Sequence, residues 1–254
     1  MKKIKASTWN INQRSGQGKQ IPEMIVHELA KQNSEIVCLT EYVVKTENHS
    51  LFCTKLQDMG YKIFEDMRTI DFGNQILIAI KNDLVNDCQV ITIDNDDDNN
   101  PNFLHVRVTI EGQKLNIIGV RIKVGGENIF QDFKHRKSQL DKLISNLPAT
   151  HENTIVLGDF NNGYFQQNDD IHSYQGKARE FYSYPLLKSE MNKAGLTAHT
   201  PSEETSWKYC KLDHIFANIP ISNENYSWEF LKNADYNSRV GFPDHAILSA
   251  SISL

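Results

Sequence analysis

Oxygen donors and one imidazole stand where apolar runs of this sequence begin or end. The segments are Trp9-Asn10-Ile11-Asn12, Leu39-Thr40-Glu41, Leu157-Gly158-Asp159-Phe160-Asn161, Leu212-Asp213-His214-Ile215-Phe216 and Pro243-Asp244-His245. Four of them stand at an end of a run that reads as a β-strand, and the Leu212 segment opens one. Strand ends are rigid supports for a site. Carboxylates and amides gathered there would form a hard-cation pocket, since Mg²⁺ takes one or two protein carboxylates and keeps waters or substrate phosphate. Taken singly, each segment has an ordinary explanation. A lone Glu after a strand is usually a solvated loop residue, Gly158-Asp159 could be turn chemistry, Asp244-His245 a helix cap or surface pair, and Trp9 core.

The elements that must position these groups follow from periodicity. Ile4 to Ile11 reads as a short strand. Ile21, Met24, Ile25 and Leu29 recur at helical spacing, with Pro22 suited to a first turn. Ile36 to Leu39 is a buried-strand run, and Ser50 to Met59 a helix closed by Gly60. Tyr61 to Phe64 and Ile76 to Ile80 read as strands. Leu104, Val106, Val108 and Ile110 alternate with polar residues, the period of a half-buried strand, and Gly112 turns the chain into Leu115 to Ile122. A helix carries Phe133, Leu140, Leu143, Ile144 and Leu147 on one face. Strands are expected at Thr154 to Leu157, Leu212 to Ala217, Trp228 to Leu231 and Ala246 to Ile252. Helices interspersed among so many strands fit two packed sheets with helices outside. No linker, repeat or low-complexity tract is evident, and one domain over residues 1–254 is expected.

As an ordered set, the five segments resemble the endonuclease/exonuclease/phosphatase superfamily, the group of deoxyribonuclease I and exonuclease III. The match runs from Trp9 to His245, and Arg136-Lys137-Ser138-Gln139-Leu140 on the helix before Gly158 also fits the pattern. The resemblance implies an α+β fold, a four-layer α/β/β/α sandwich of two mainly antiparallel sheets flanked by helices. It implies a site at one rim between the sheets and hydrolysis of phosphodiesters with Mg²⁺ or Mn²⁺. Glu41 is the implied principal metal ligand, helped by Asn12 and Asp244. Asn10 would orient Glu41 or touch phosphate. Asp159 would position or deprotonate the attacking water, and Asn161 would donate to a phosphoryl oxygen. His245 would contact phosphate or act as general base, with Asp213 fixing its tautomer.

The sequence departs from the family pattern in places. Thr40 stands where glutamine is usual, Pro243 where serine is commoner, and Gln13 precedes Arg14 after the first motif. Arg121 falls about where relatives carry His or Tyr. It could clamp a phosphate bidentately but could not donate a proton near neutral pH, and a solvated strand-end Arg is the plain alternative. Trp207 could stack on a base or other flat group, or be a core or rim tryptophan. Arg14, Lys19 and Lys211 could add positive charge near a polyanion. His214 reads as a strand residue, and His135, His151, His172 and His199 as surface residues. Asp94 to Asn100 lacks the Gly and Glu of an EF-hand loop, and Gly16 to Lys19 lacks P-loop spacing.

Bulk properties limit the partners. The 254 residues are 39% hydrophobic and 23% charged, an ordinary globular balance, and the net charge of -5 excludes a broadly basic nucleic-acid coat. An acidic total still admits a phosphodiester, because bound cations invert the local field. Cys38, Cys53, Cys88 and Cys210 are scattered without a CxxC pair, which reads as reduced thiols. The basic start lacks a following apolar stretch, and no run approaches the ~18 residues of a membrane span. A soluble, cytoplasmic protein without membrane insertion is expected. Its expected substrate is a phosphodiester, with DNA or RNA leading. The alternatives are a phosphomonoesterase, a phosphodiesterase for phospholipids or small molecules, and a binding module that kept the fold without catalysis.

Overall fold

The computed structural model describes residues 2–13, 19–65, 73–93, 102–163, 180–202, 204–207, 210–233 and 241–254. Two six-stranded sheets pack face to face. The first runs in the order β11 (Ile221–Ser227), β12 (Ile247–Ser253), β1 (Lys3–Asn10), β2 (Ile36–Tyr42), β4 (Gln75–Lys81) and β3 (Tyr61–Glu65). The second runs β5 (Asp87–Ile91), β6 (Phe103–Ile110), β7 (Gln113–Arg121), β8 (Thr154–Asp159), β10 (Asp213–Ala217) and β9 (Thr197–His199). Each sheet has one parallel neighbour pair, β1 with β2 and β7 with β8, and its other pairs are antiparallel. Helices α1 (Glu23–Gln32) and α2 (His49–Asp58) cover the outer face of the first sheet; α3 (Ile129–Ser145) and α4 (Tyr184–Lys193) cover that of the second. The α+β four-layer sandwich is therefore the observed fold.

Period-2 alternation sorts the apolar residues into three layers of core. Ile4, Ala6, Ile36, Cys38, Ile76, Ile78, Ile117, Ile155, Leu157, Ile215 and Leu248 meet between the sheets. Trp9, Ile11, Val37, Leu39 and Leu77 face the other way, onto Ile25, Leu29, Phe52 and Leu56 of α1 and α2. Ile118, Val120, Val156 and Phe216 pack on Phe133, Leu140, Leu187 and Met191 of α3 and α4. Central strands are buried on both faces, which is why they read as unbroken apolar runs.

Two glycines set the spacing. A Cβ at Gly119 would lie 2.7 Å from Ile76 and 2.9 Å from the Cys38 sulfur in the opposite sheet. At Gly158 it would lie 1.9 Å from the Val120 carbonyl oxygen, at φ +147°. Only glycine lets β8 lie so close to β7 one residue before Asp159.

Some expectations are corrected. Trp228 to Leu231 is not a strand: a 3₁₀ turn runs Glu229–Asn233, and the strand lies earlier, at Ile221–Ser227. That edge strand is largely polar and carries a bulge between Ser222 and Asn225, so its alternation is faint. β5, β9 and α4 also lacked a clear sequence signal. None of the four cysteines forms a disulfide. Among the described residues no helix is long and apolar enough to cross a membrane. Arg14, His172, the Gly16 to Gly18 stretch and the Asp94 to Asn100 loop lie outside the described residues.

Gly158→Ala should destabilise the fold by about 3 kcal/mol or more, combining overpacking with a left-handed backbone. Gly112→Ala, whose new Cβ meets nothing within 4 Å at φ +81°, should cost only about 1 kcal/mol. Urea melts of the two variants check the difference, and equal losses would refute the close approach.

Candidate active site

The two parallel pairs point their carboxyl ends at the same rim, and there the inward-facing register changes from apolar to polar. β1 places Ile4 and Ala6 between the sheets and Asn10 further along the same face. β7 does so with Leu115, Ile117 and then Arg121; β8 with Ile155, Leu157 and then Asp159. β10 enters from that rim with Asp213 before Ile215. Asp213 and Asp159 are direct partners across the antiparallel β8–β10 ladder, and Arg121 pairs with Asp159 across β7–β8.

Glu41 reaches the same rim by a different device. Val37 and Leu39 face outward, so plain alternation would send Glu41 outward too. The β2–β4 register shifts between Leu39 and Tyr42, and Glu41 takes a left-handed φ of 51°. The parity reverses: the Glu41 carboxylate accepts from Arg121 Nη2 at 3.1 Å in the other sheet, and Tyr42 goes outward. Asn12 (φ 56°) and Asn161 (φ 45°) share this conformation. Asparagine tolerates it; glutamate does so at a cost of order 1–3 kcal/mol, a strain concentrated where function requires it.

Asn10 is the hub. Its Nδ2 donates to Asp159 Oδ2 at 2.8 Å, and its Oδ1 accepts from the Asn12 amide at 2.9 Å. Asn12 Nδ2 donates to Phe242 O at 2.7 Å, tying the first motif to the segment before Asp244. Asp159 Oδ1 accepts from the Asn161 backbone N–H at 2.9 Å and Oδ2 from Asn161 Nδ2 at 3.0 Å. Asn161 Nδ2 also donates to Ile122 O at 2.9 Å, so this amide holds Asp159 in place. His245 Nδ1 lies 2.7 Å from Asp213 Oδ2, and Trp9 Nε1 donates to the His245 carbonyl at 2.9 Å. His245 Nε2 lies 3.9 Å from Asp244 Oδ1. Trp207 donates from Nε1 to Asp244 Oδ2 at 3.1 Å, its ring centroid 6.2 Å from that of His245.

Arg121 is not a solvated strand-end residue: it is buried, and it pairs with Glu41. Lys211 is also buried, its ammonium donating to the carbonyls of Pro201 and Ser202. Lys19 is exposed. His214 lies in β10 between Thr200 Oγ1 and Asn162 Oδ1, and burial pushes its pKa down to about 3. It is a satisfied neutral core histidine. Three supports complete the site; Ser206 and Tyr226 had no sequence signal as supports, whereas Arg136 lies in the helix segment that fits the family pattern. Ser206 Oγ accepts from the amides of Leu212 and Asp213, and Tyr226 donates from its hydroxyl to Asp213 O at 2.5 Å. Arg136, paired with Asp132, donates to Asn161 O at 2.5 Å and so pins the loop after Asp159.

The charges are strongly coupled. Burial, then the Asp213 carboxylate, pushes the Asp159 pKa well up. Burial alone would lower that of His245, but Asp213 overrides it and raises it to about 10, so the imidazole is cationic at neutral pH. Glu41 is held below the usual carboxylate range because Arg121 and His245 outweigh its burial. Single donor atoms of Asp159, Asp213 and His245 all lie within 4.8 Å of one another. Asp213 Oδ1 is buried with no hydrogen-bond partner. A cluster of crowded acids with an orphaned oxygen suits a hard divalent cation.

A stacked-sheet fold with acids, amides and one imidazole at its rim is the arrangement of a family of hydrolytic phosphoesterases. The chain belongs to the Endonuclease/Exonuclease/phosphatase family, whose sequence model matches residues 7–226. No protein with a curated description matches the sequence. Its fold is similar to that of D. rerio TDP2 complexed with single-strand DNA product, at TM-score 0.65 and 16% identity with both chains covered in full. It is similar to an AP endonuclease from Archaeoglobus fulgidus, at TM-score 0.67 and 15% identity over 99% of this chain and 100% of that one. It is also similar to the endonuclease domain of TRAS1, a telomere-specific non-LTR retrotransposon, at TM-score 0.67 and 13% identity over 100% of this chain and 99% of that one.

The electrostatics fix the sign of a pH effect in metal-free protein. Both Asp159 and His245 have folded pKa values above their unfolded ones. Asp159 therefore opposes folding increasingly as pH rises above the ordinary carboxylate range, and the His245 contribution, complete below about 6.5, is lost towards about 10. The melting temperature with EDTA should fall by about 3–6 °C between pH 6 and pH 8. Asp159→Asn should flatten that slope; an unchanged slope would refute the coupling. In Asp213→Asn, an NMR titration should find the His245 pKa at or below its ordinary value.

Proposed function

We propose that this chain hydrolyses phosphodiesters with a divalent cation, Mg²⁺ or Mn²⁺, and that nucleic acid is its leading substrate class. The observation that carries the reading is the convergence of Asn10, Glu41, Asp159, Asp213 and His245 from five strand ends onto one rim. Glu41 would hold the cation, with Asn12 and Asp244 as further oxygen donors. When bound, it supplies charge neutralisation and polarisation at the phosphoryl group.

The chain's own groups divide the remaining work. Asp159, held rigidly by Asn10 and Asn161, has a raised proton affinity and suits removal of a proton from the attacking water. His245, held by Asp213 and with its proton affinity raised by that carboxylate, is read as a donor rather than as the base. Its Nε2–H donates to a non-bridging phosphoryl oxygen while Asp213 holds Nδ1–H, so positive charge is aimed where negative charge grows. Arg121 acts through Glu41, fixing the carboxylate that faces the cation. Trp207 orients Asp244 and offers a half-buried ring beside His245 for a base or other flat group.

Support for nucleic acid comes from the family and from folds shared with DNA-acting proteins. With a net charge of -5, a bound cation rather than a broad basic face is the counter-charge this reading gives the substrate phosphate.

The test is hydrolysis of bis(aryl) against mono(aryl) phosphate with Mg²⁺, then with EDTA, followed by plasmid, abasic duplex, single-stranded DNA, RNA and sphingomyelin. Diester turnover that chelation abolishes is expected; monoester turnover alone would replace the reading with a phosphatase. His245→Ala and Asp159→Asn should each lower kcat by at least ~10² with the fold intact. Wild-type turnover in either would reject the site.

A further inference from the structure

On the opposite face of the first sheet lies a second cluster of metal-ligating side chains. His49 and Cys53 stand one turn apart on α2, and Glu65 ends β3 beneath them. His49 Nε2 is 3.0 Å from Glu65 Oε1, and Cys53 Sγ is 3.5 Å from His49 Nε2 and 3.9 Å from Glu65 Oε1. Tyr42 donates its hydroxyl to the same Glu65 oxygen and lies 3.7 Å from Cys53 Sγ. These residues take no part in the rim site, because the bulge at Glu41 sends Glu41 and Tyr42 to opposite faces.

We propose that His49, Cys53 and Glu65 form a second metal site, selective for a borderline transition ion such as Zn²⁺. The distances carry the argument. Zn–N of ~2.05 Å, Zn–O of ~2.1 Å and Zn–S of ~2.3 Å at tetrahedral angles place N and O about 3.4 Å apart, and sulfur about 3.5 Å from each. The observed triangle of 3.0, 3.5 and 3.9 Å matches one face of that tetrahedron within about 0.4 Å. Hydrogen bonding accounts for Tyr42, Glu65 and His49 together. Cys53 joins that network only through long, weak sulfur contacts of 3.5 and 3.9 Å, yet these place a thiol within ligand distance of both other donors.

The chemistry separates this site from the rim. An imidazole, a thiolate and one carboxylate suit Zn²⁺ or Co²⁺ and are poor ligands for Mg²⁺. Burial keeps the Tyr42 phenol protonated, so it orients Glu65 from behind and leaves the fourth corner to water. The His49 side chain is 26% exposed and that of Glu65 12%, which leaves a path for the ion. Thiolate and imidazole sites of this kind bind metal more weakly as pH falls, because the ligands must be deprotonated. A bound ion would tie α2 to the end of β3.

The test uses the full chain, stripped with EDTA and returned to saturating Mg²⁺ so that the rim site is filled. Titration with Co²⁺ should give one equivalent with a thiolate-to-metal charge-transfer band in the near ultraviolet, which Zn²⁺ then displaces. The rim site contains no sulfur and cannot produce that band. Cys53→Ser should abolish it, His49→Ala should weaken Co²⁺ binding at least ~10-fold, and Cys88→Ser should leave it unchanged. A wild-type titration without the band, or a band that survives in Cys53→Ser, would overturn the proposal. Should Cys53→Ser fail to fold, alkylation of wild-type protein decides: Zn²⁺ must protect Cys53, and equal labelling with and without Zn²⁺ counts against the site.

Discussion

Two carboxylates that hydrogen-bonded neighbouring strands hold side by side govern this molecule. Asp159 and Asp213 are register partners, both buried, and the ladder between β8 and β10 prevents them from moving apart. Like charges so placed in a medium of low polarity cannot both ionise without compensation. The other parts of the rim answer that constraint. His245 becomes cationic against Asp213, Asn10 and Asn161 donate to Asp159, and Arg121 secures Glu41 where a cation would complete the balance.

The architecture makes the constraint possible without dissolving the core. Strands that bury apolar residues on alternate positions keep the same inward parity when the residue type changes, so the polar rim is the last layer of the hydrophobic interior. The matching parallel pairs, one in each sheet, bring four carboxyl-terminal strand ends to one edge. The packing that fixes Ile117 and Leu157 also fixes Arg121 and Asp159, which gives the site the precision that loops alone rarely provide.

Much of this was legible in the sequence, for identifiable reasons. Apolar runs ending in Asn10, Glu41 and Asp159 marked the strands and their polar tips, and the order of the motifs carried the four-layer fold. What escaped was set by backbone geometry or by partners distant in sequence. Nothing in the type of Glu41 says that it adopts a left-handed φ, since glutamate is not favoured there. Arg121 reads as a phosphate clamp or a solvated strand end, and its pairing with Glu41 stays hidden because that partner lies eighty positions earlier. β11 was invisible because an edge strand of Ser, Asn and Glu shows little alternation, and its one functional contact, Tyr226 to Asp213, is tertiary. For α4, Ser183 as cap and Pro185 in the first turn were present, but only Leu187 and Met191 are buried.

The bulge in β2 behaves like a frameshift written in backbone rather than in codons. Upstream of it, odd-numbered residues lie under the helices; downstream, the assignment is exchanged, and a tyrosine and a glutamate trade sides of the sheet. Lengthening or shortening that strand by one residue would leave every motif letter intact yet present the phenol to the rim and the carboxylate to the helices. The count of residues in this segment therefore matters to the site as much as their identity.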